Sequence, residues 1–140
     1  MLNPTDKLEF DAGDAMWTYS QRNHVLSRDG TIISTGGHSG NGAGLNNPMM
    51  QTEHNVGPLP RGRYTFGPWQ DSHTHLGPNV SALTPQPDAS GSFDWLSGRG
   101  GFYCHGPEFS EGCIIQPPDI RAKMKAVMES TGDRELEVIE

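Results

Sequence analysis

With 140 residues the chain is sized for one domain around one core, and its two cysteines exclude a disulfide-rich scaffold. A formal net charge of -7 argues against a phosphate-backbone partner, so no nucleic acid is expected. No apolar run approaches the ~20 residues that cross a bilayer, so no membrane insertion is expected, while eighteen glycines and eleven prolines predict many turns and few long helices.

Residues 1–15 are polar and are expected to be an irregular lead-in; no basic start precedes an apolar run, so no secretory signal is expected. A single domain then spans 16–140. Met16 to Ser20 is aromatic-rich and predicts a strand. Val25-Leu26 predicts a second and Thr31 to Thr35 a third, with Asp29-Gly30 as the hairpin turn between them. Gly36 to Asn47 holds five glycines, a histidine, a serine and three asparagines. Its composition suits a surface loop, and it also suits a substrate-binding loop in which Ser39 and Asn47 supply hydrogen bonds. Val56 to Pro60 reads as a rigid turn into a strand at Arg63 to Phe66.

Asp71, His73 and His75 alternate, so on a strand they would share one face and offer a zinc site. A polar exposed connector is the favoured reading of the same residues. Val80 to Leu83 predicts a strand, residues 86–92 a loop, and Trp95 and Leu96 a tuck at the edge of the core. Arg99 is either a surface arginine or a bidentate clamp for a substrate carboxylate.

His105-Gly106-Pro107-Glu108-Phe109-Ser110-Glu111-Gly112-Cys113 is the stretch with chemistry in it. Gly101 to Cys104 and Ile114 to Gln116 flank it as short strands. Paired antiparallel, they would put His105 beside Cys113, with opposed Cα atoms about 4.5–5.5 Å apart. A free cysteine is mostly thiol at neutral pH, and a neighbouring imidazole can take its proton and hold the thiolate. Gly112 permits a tight turn, and the Gly112 and Cys113 N–H groups are candidates for an oxyanion hole. A buried, inert cysteine is the alternative. Cys104, next to His105, should face the core as a reduced thiol.

Pro117-Pro118 then opens a helix with Asp119 in its first turn and an apolar face of Ile120, Met124, Val127 and Met128. Gly132 closes it. Leu136 and Val138 alternate with Glu135 and Glu137 as a final strand. The fold expectation is mainly β, a small sandwich or open barrel with one helix after the cysteine.

Several separated motifs carry a resemblance. His105-Gly106 followed by Ser110-Glu111-Gly112-Cys113 resembles the active-site signature of L,D-transpeptidases. Ser39-Gly40, Asn46-Asn47-Pro48 and Gly57-Pro58-Leu59-Pro60-Arg61-Gly62-Arg63-Tyr64, in this order, are similar to the L,D-transpeptidase-like effectors of type VI secretion systems. The likeness runs from about Trp17 to Ile120, with a His-to-Cys loop shorter than the family pattern. It implies a compact L,D-transpeptidase fold and a cysteine L,D-carboxypeptidase or L,D-transpeptidase acting on peptidoglycan stem peptides. In that scheme Cys113 is nucleophile and His105 base, and a carbonyl near Gly106 orients the imidazole. Ser39, Asn47, Arg99 and Ser110 are then candidate substrate contacts, and no cofactor is needed. Type VI components and an immunity protein are the implied partners, and the periplasm of a target bacterium is the implied place of action. The rival readings are a zinc hydrolase using Asp71, His73 and His75, and a non-catalytic wall-binding module.

Overall fold

Large apolar residues alternate with polar ones in the first strand, β1 (Trp17–Ser20), where Trp17 and Tyr19 are both fully buried. The computed structural model describes residues 16–73, 77–106 and 110–140. The expected lead-in at 1–15, His75, and residues 107–109 lie outside the described residues. From β1 the chain forms the expected meander with β2 (Leu26–Arg28) and β3 (Thr31–Ser34), both pairings antiparallel. Asp29 and Gly30 take φ values of 50° and 87° at the turn, the conformation that favours an Asp-Gly pair there.

Among the described residues nine strands make one sheet, in the order β3-β2-β1-β9-β5-β6-β7-β8-β4. The sheet curls into a half-barrel, the open form of the two expected architectures. Its remaining strands are β4 (His38–Ser39), β5 (Gly62–His73), β6 (Gly77–Pro85), β7 (Phe102–His105), β8 (Ile114–Ile115) and β9 (Glu135–Ile139). Strand β9 carries the expected alternation: Leu136 and Val138 are buried, Glu135 and Glu137 less so. It enters between β1, to which it runs parallel, and β5, to which it runs antiparallel, so Leu136 faces both Trp17 and Tyr64.

Helix α1 (Pro118–Thr131) begins on proline and ends at Gly132, whose φ of 79° lets its N–H reach the Met128 carbonyl at 2.8 Å. Met124 and Met128 are fully buried in one cluster with Trp17, Tyr64, Phe66, Cys104, Ile114 and Leu136. Three polar groups carried into this core find partners, as burial favours. Trp17 Nε1 donates to the Asp133 carbonyl at 2.9 Å, Tyr64 Oη to the Pro60 carbonyl at 2.7 Å, and Trp69 Nε1 lies 3.2 Å from Met128 Sδ.

Three expectations are corrected. Strands β7 and β8 pair in parallel, Cys104 beside Ile114 and His105 beside Ile115, not as an antiparallel hairpin. The strands are so short that the chain leaving His105 needs to run back only a few residue lengths, each about 3.3 Å, to start β8 in the same direction. Asp71 and His73 belong to the long strand β5, whose pairing with β6 continues to His73 and Gly77 across a register shift at Phe66 to Trp69. Finally, the glycine-rich stretch is structured: β4 pairs with β8, and two 3-10 turns, Gly42–Gly44 and Pro48–Met50, follow.

Candidate active site

Pairing decides which side chains meet. Partners in register share a face, and neighbours along a strand point to opposite faces. Cys104, Ile114 and Ser39 are register partners across β7, β8 and β4, and all three are fully buried. His105, Ile115 and His38 form the next row, on the opposite face. Cys113 directly precedes β8, two residues before Ile115, and so shares the face of His105. The parallel pairing thus brings together the histidine and cysteine that the antiparallel expectation also joined, now offset diagonally instead of directly opposed. His105 is 5% exposed and Cys113 is half-buried. Cys104 faces the core as a free thiol, and burial pushes it up from its usual value to about 12.

The Cys113 peptide is held from two sides. Its carbonyl accepts from Ser39 Oγ at 2.9 Å and from Ser110 Oγ at 2.6 Å. Each hydroxyl also accepts from backbone: Ser39 Oγ from the Leu59 N–H at 2.8 Å, Ser110 Oγ from the Gly40 and Gly112 N–H groups at 3.0 and 3.2 Å. Ser39 is fully buried and Ser110 nearly so. Both expected substrate contacts therefore face inward and act on the cysteine's own backbone. The Gly112 N–H, expected at an oxyanion, points to Ser110 instead. Asn47 accepts the Met49 N–H at 3.1 Å and donates to the Ala43 carbonyl at 3.0 Å, capping the second 3-10 turn rather than standing open.

Arg99 is 6% exposed, and its guanidinium is spent on carbonyls. Nη1 donates to Gln51 and Pro58 at 2.6 and 2.7 Å, and Nη2 to Gly57 and Glu111 at 2.9 and 3.0 Å. It also sits 5.5 Å from the centre of the Phe102 ring. The expected carboxylate clamp is a strap that ties the Gly57-Pro58 turn to the cysteine loop. Gly112 explains itself against this strap: its φ is 129°, and a Cβ there would stand 2.5 Å from Arg99 Nη2 and 2.9 Å from the Phe102 ring. Gly106 is buried at the end of β7, where a Cβ would meet Arg121 Nη2 and the Gln116 carbonyl at 3.0 Å.

Two residues of the site escaped the sequence reading. Asn41 Nδ2 donates to the Ser110 carbonyl at 2.7 Å and to Asn55 at 2.8 Å, joining the glycine-rich stretch to the cysteine loop. Arg121 is 3% exposed and donates to the carbonyls of Gln116 and Asn79 at 3.0 and 3.3 Å and to that of Pro78. Its signal was available: Arg121 stands three and seven residues before Met124 and Met128, on their face of the helix. Asp71, expected as an exposed connector or a zinc ligand, is exposed and pairs with Lys125 Nζ at 2.8 Å.

Burial is the largest influence on the Cys113 thiol and pushes it above its ordinary value. The Tyr103 N–H donates to the sulfur and pulls it down, the Glu111 carboxylate pushes it up, and Arg99 pulls it down.

The Tlde1 domain matches the chain over residues 34–135. No curated protein matches the sequence. Among solved structures, L,D-transpeptidase 1 of Mycobacterium tuberculosis is similar over 90% of this chain and 62% of its own, with 17% identity and a TM-score of 0.51. An L,D-transpeptidase from Mycobacterium smegmatis is similar over 90% of this chain and 58% of its own, with 20% identity and a TM-score of 0.50. The chain thus spans about three fifths of the length of these structures, and the likeness is one of fold.

Proposed function

Because the chain belongs to the Tlde1-domain family of L,D-transpeptidase-like type VI secretion effectors, we propose that it is a cysteine acyltransferase acting on peptidoglycan stem peptides. The observation that carries this reading is that His105 ends β7 and Cys113 directly precedes β8, the strand paired with it, with the Cys113 peptide pinned by Ser39 and Ser110. In the proposed reaction the Cys113 sulfur attacks the carbonyl that links meso-diaminopimelate to the terminal D-amino acid. The thiol proton passes to His105 as the C–S bond forms. His105 returns that proton to the leaving amine as the C–N bond breaks, leaving a thioester on Cys113. Water resolves the thioester in L,D-carboxypeptidase action, and the amine of a D-amino acid or a second stem resolves it in exchange or cross-linking.

Ser39, Ser110 and Arg99 act in this scheme as positioning residues for the nucleophile's loop, and Gly112 gives the strap its room. Type VI delivery into the periplasm of a target bacterium, and a cognate immunity protein in the producer, complete the proposal. Mass spectrometry of muropeptides after incubation with the purified protein tests it. Tetrapeptide stems should become tripeptides or exchanged stems, and Cys113→Ala should leave them intact while keeping a native circular dichroism spectrum. Stem trimming by Cys113→Ala at the wild-type rate would overturn the cysteine mechanism, and no change with either protein would favour a wall-binding module.

A further inference from the structure

We propose that a cavity outside the cysteine site binds one N-acetylated pyranose ring of the glycan strand. The proposal takes from the acyl-transfer reading only the polymer, peptidoglycan, whose stems hang from such sugars. The cavity holds about 300 Å³ and lies where the start of β5, the chain leaving β6 and the 3-10 turn Asp94–Leu96 meet. Gly62, Arg63, Gln86, Pro87, Asp88 and Trp95 are among the residues that line it. Ligand pockets run from about 300 to 1,000 Å³, so this one has room for a single ring. Trp95 supplies its aromatic wall, and that ring is fixed on two sides. It meets Tyr64 edge to face, with centroids 5.6 Å apart and planes at 83°. Gly62 makes room for it: with φ at 149°, a Cβ there would stand 2.4 Å from the indole. A wall already held in place loses no freedom when a ligand arrives. Trp95 Nε1 is covered and has no acceptor, so the ring carries a donor that the fold leaves unused.

The polar groups around the ring decide the class of ligand. Arg63 is exposed and joins no ion pair among the described residues. The Gln86 amide donates to Thr65 Oγ1 at 2.9 Å, which leaves its oxygen as an acceptor. Asp88 spends Oδ1 on the Ser90 N–H and hydroxyl and on the Ser92 N–H, at 2.9, 2.6 and 2.9 Å, which leaves Oδ2. A carboxylate ligand would use the guanidinium alone and be repelled by Asp88, and a cation would be repelled by Arg63. A sugar hydroxyl both donates and accepts, and a pyranose offers an apolar C–H face to an aromatic wall. A neutral sugar is therefore the class that uses donor, acceptors and ring together. The cavity is also joined to the cysteine loop. Arg61, another lining residue, donates from Nε to Gln51 Oε1 at 3.2 Å, and Arg99 donates to the carbonyls of Gln51 and Glu111 at 2.6 and 3.0 Å. A glycan strand held here keeps its stems at a raised effective concentration near the nucleophile's loop.

The test is a calorimetric titration of the full chain with the β-1,4-linked tetramer of N-acetylglucosamine, which is neutral and carries no stem. Wild-type protein should bind it. Trp95→Leu removes the aromatic wall and should weaken binding about tenfold or more. That ring also packs on Tyr64, so Arg63→Ala, which removes an exposed side chain, serves as the second variant. It should weaken binding about threefold or more while keeping the wild-type urea midpoint. No binding by wild type, or an affinity that either variant leaves unchanged, would overturn the assignment. Displacement of the tetramer by an equal concentration of N-acetyl-D-alanine would make the cavity a carboxylate site and overturn it as well. The probe has no scissile bond, so the two readings fail separately. Sugar binding without stem trimming would sink the acyl-transfer reading alone, and stem trimming without sugar binding would sink this one alone.

Discussion

Cys113 is governed by groups that act on its sulfur and groups that act on its carbonyl, and the two sets respond differently to substitution. Glu111 is exposed and raises the thiol pKa through its charge. Glu111→Gln should therefore lower it, so that at a fixed neutral pH more thiolate is present and alkylation by iodoacetamide is faster. The midpoint of the rate-against-pH curve should move down, and an unchanged or raised midpoint would show that the carboxylate does not reach the sulfur. Ser110→Ala acts on the carbonyl. It removes a donor to the Cys113 carbonyl and the acceptor of two N–H groups. Leaving buried polar groups unpaired costs about 1–3 kcal/mol, to be read in urea melts, and kcat for stem trimming should fall more than KM rises because the nucleophile's peptide is loosened. Cys113→Ser should be nearly inactive, since the hydroxyl is a far weaker nucleophile with one histidine.

Among the elements, β9 does the most to close the fold, although it lies at the end of the chain. It fills the gap between β1 and β5, and without it the meander at one end and the site-bearing strands at the other would share no ladder. Leu136 sits at the middle of this junction with no exposed surface. Leu136→Ala should cost about 2–5 kcal/mol, seen as a lower urea midpoint. If unfolding is cooperative across the sheet, Cys113 alkylation and tryptophan fluorescence should shift together. Separate transitions would show that the meander and the site fold as independent units.

For the molecule as a whole, buried groups that resist ionising make alkaline pH the destabilising direction. Cys104 has its pKa raised from 9.0 to about 12, first by burial. Burial also raises Tyr19 and Tyr64. Between pH about 9 and about 12 the unfolded chain releases the Cys104 proton while the folded protein keeps it. The unfolded state then binds fewer protons, so stability falls as pH rises through that window and the effect is absent below it. Urea midpoints should decline across this range, and Cys104→Ala should flatten part of the decline while costing on the order of 1 kcal/mol at neutral pH. A decline of the same slope in Cys104→Ala would assign it to the tyrosines.

Local chemistry was legible from the sequence wherever a residue's role depends on its neighbours in the chain. The Asp29-Gly30 turn, the proline start and Gly132 end of α1, the Met124 and Met128 face, and the alternation in β9 follow from backbone preference and periodicity. That the segments on either side of the His105 to Cys113 loop enter the sheet as neighbouring strands was also legible, because eight residues are too few to carry them far apart. Direction was not: a two-residue strand such as β8 carries no pattern that distinguishes parallel from antiparallel, and β4 on its far side takes the antiparallel place. The parts played by Ser39, Ser110 and Arg99 were decided only in three dimensions. A serine or arginine offers the same donors to a ligand or to a carbonyl of its own chain. Which one it serves depends on whether a segment distant in sequence, here Gly57 to Leu59 and the glycine-rich stretch, packs against it.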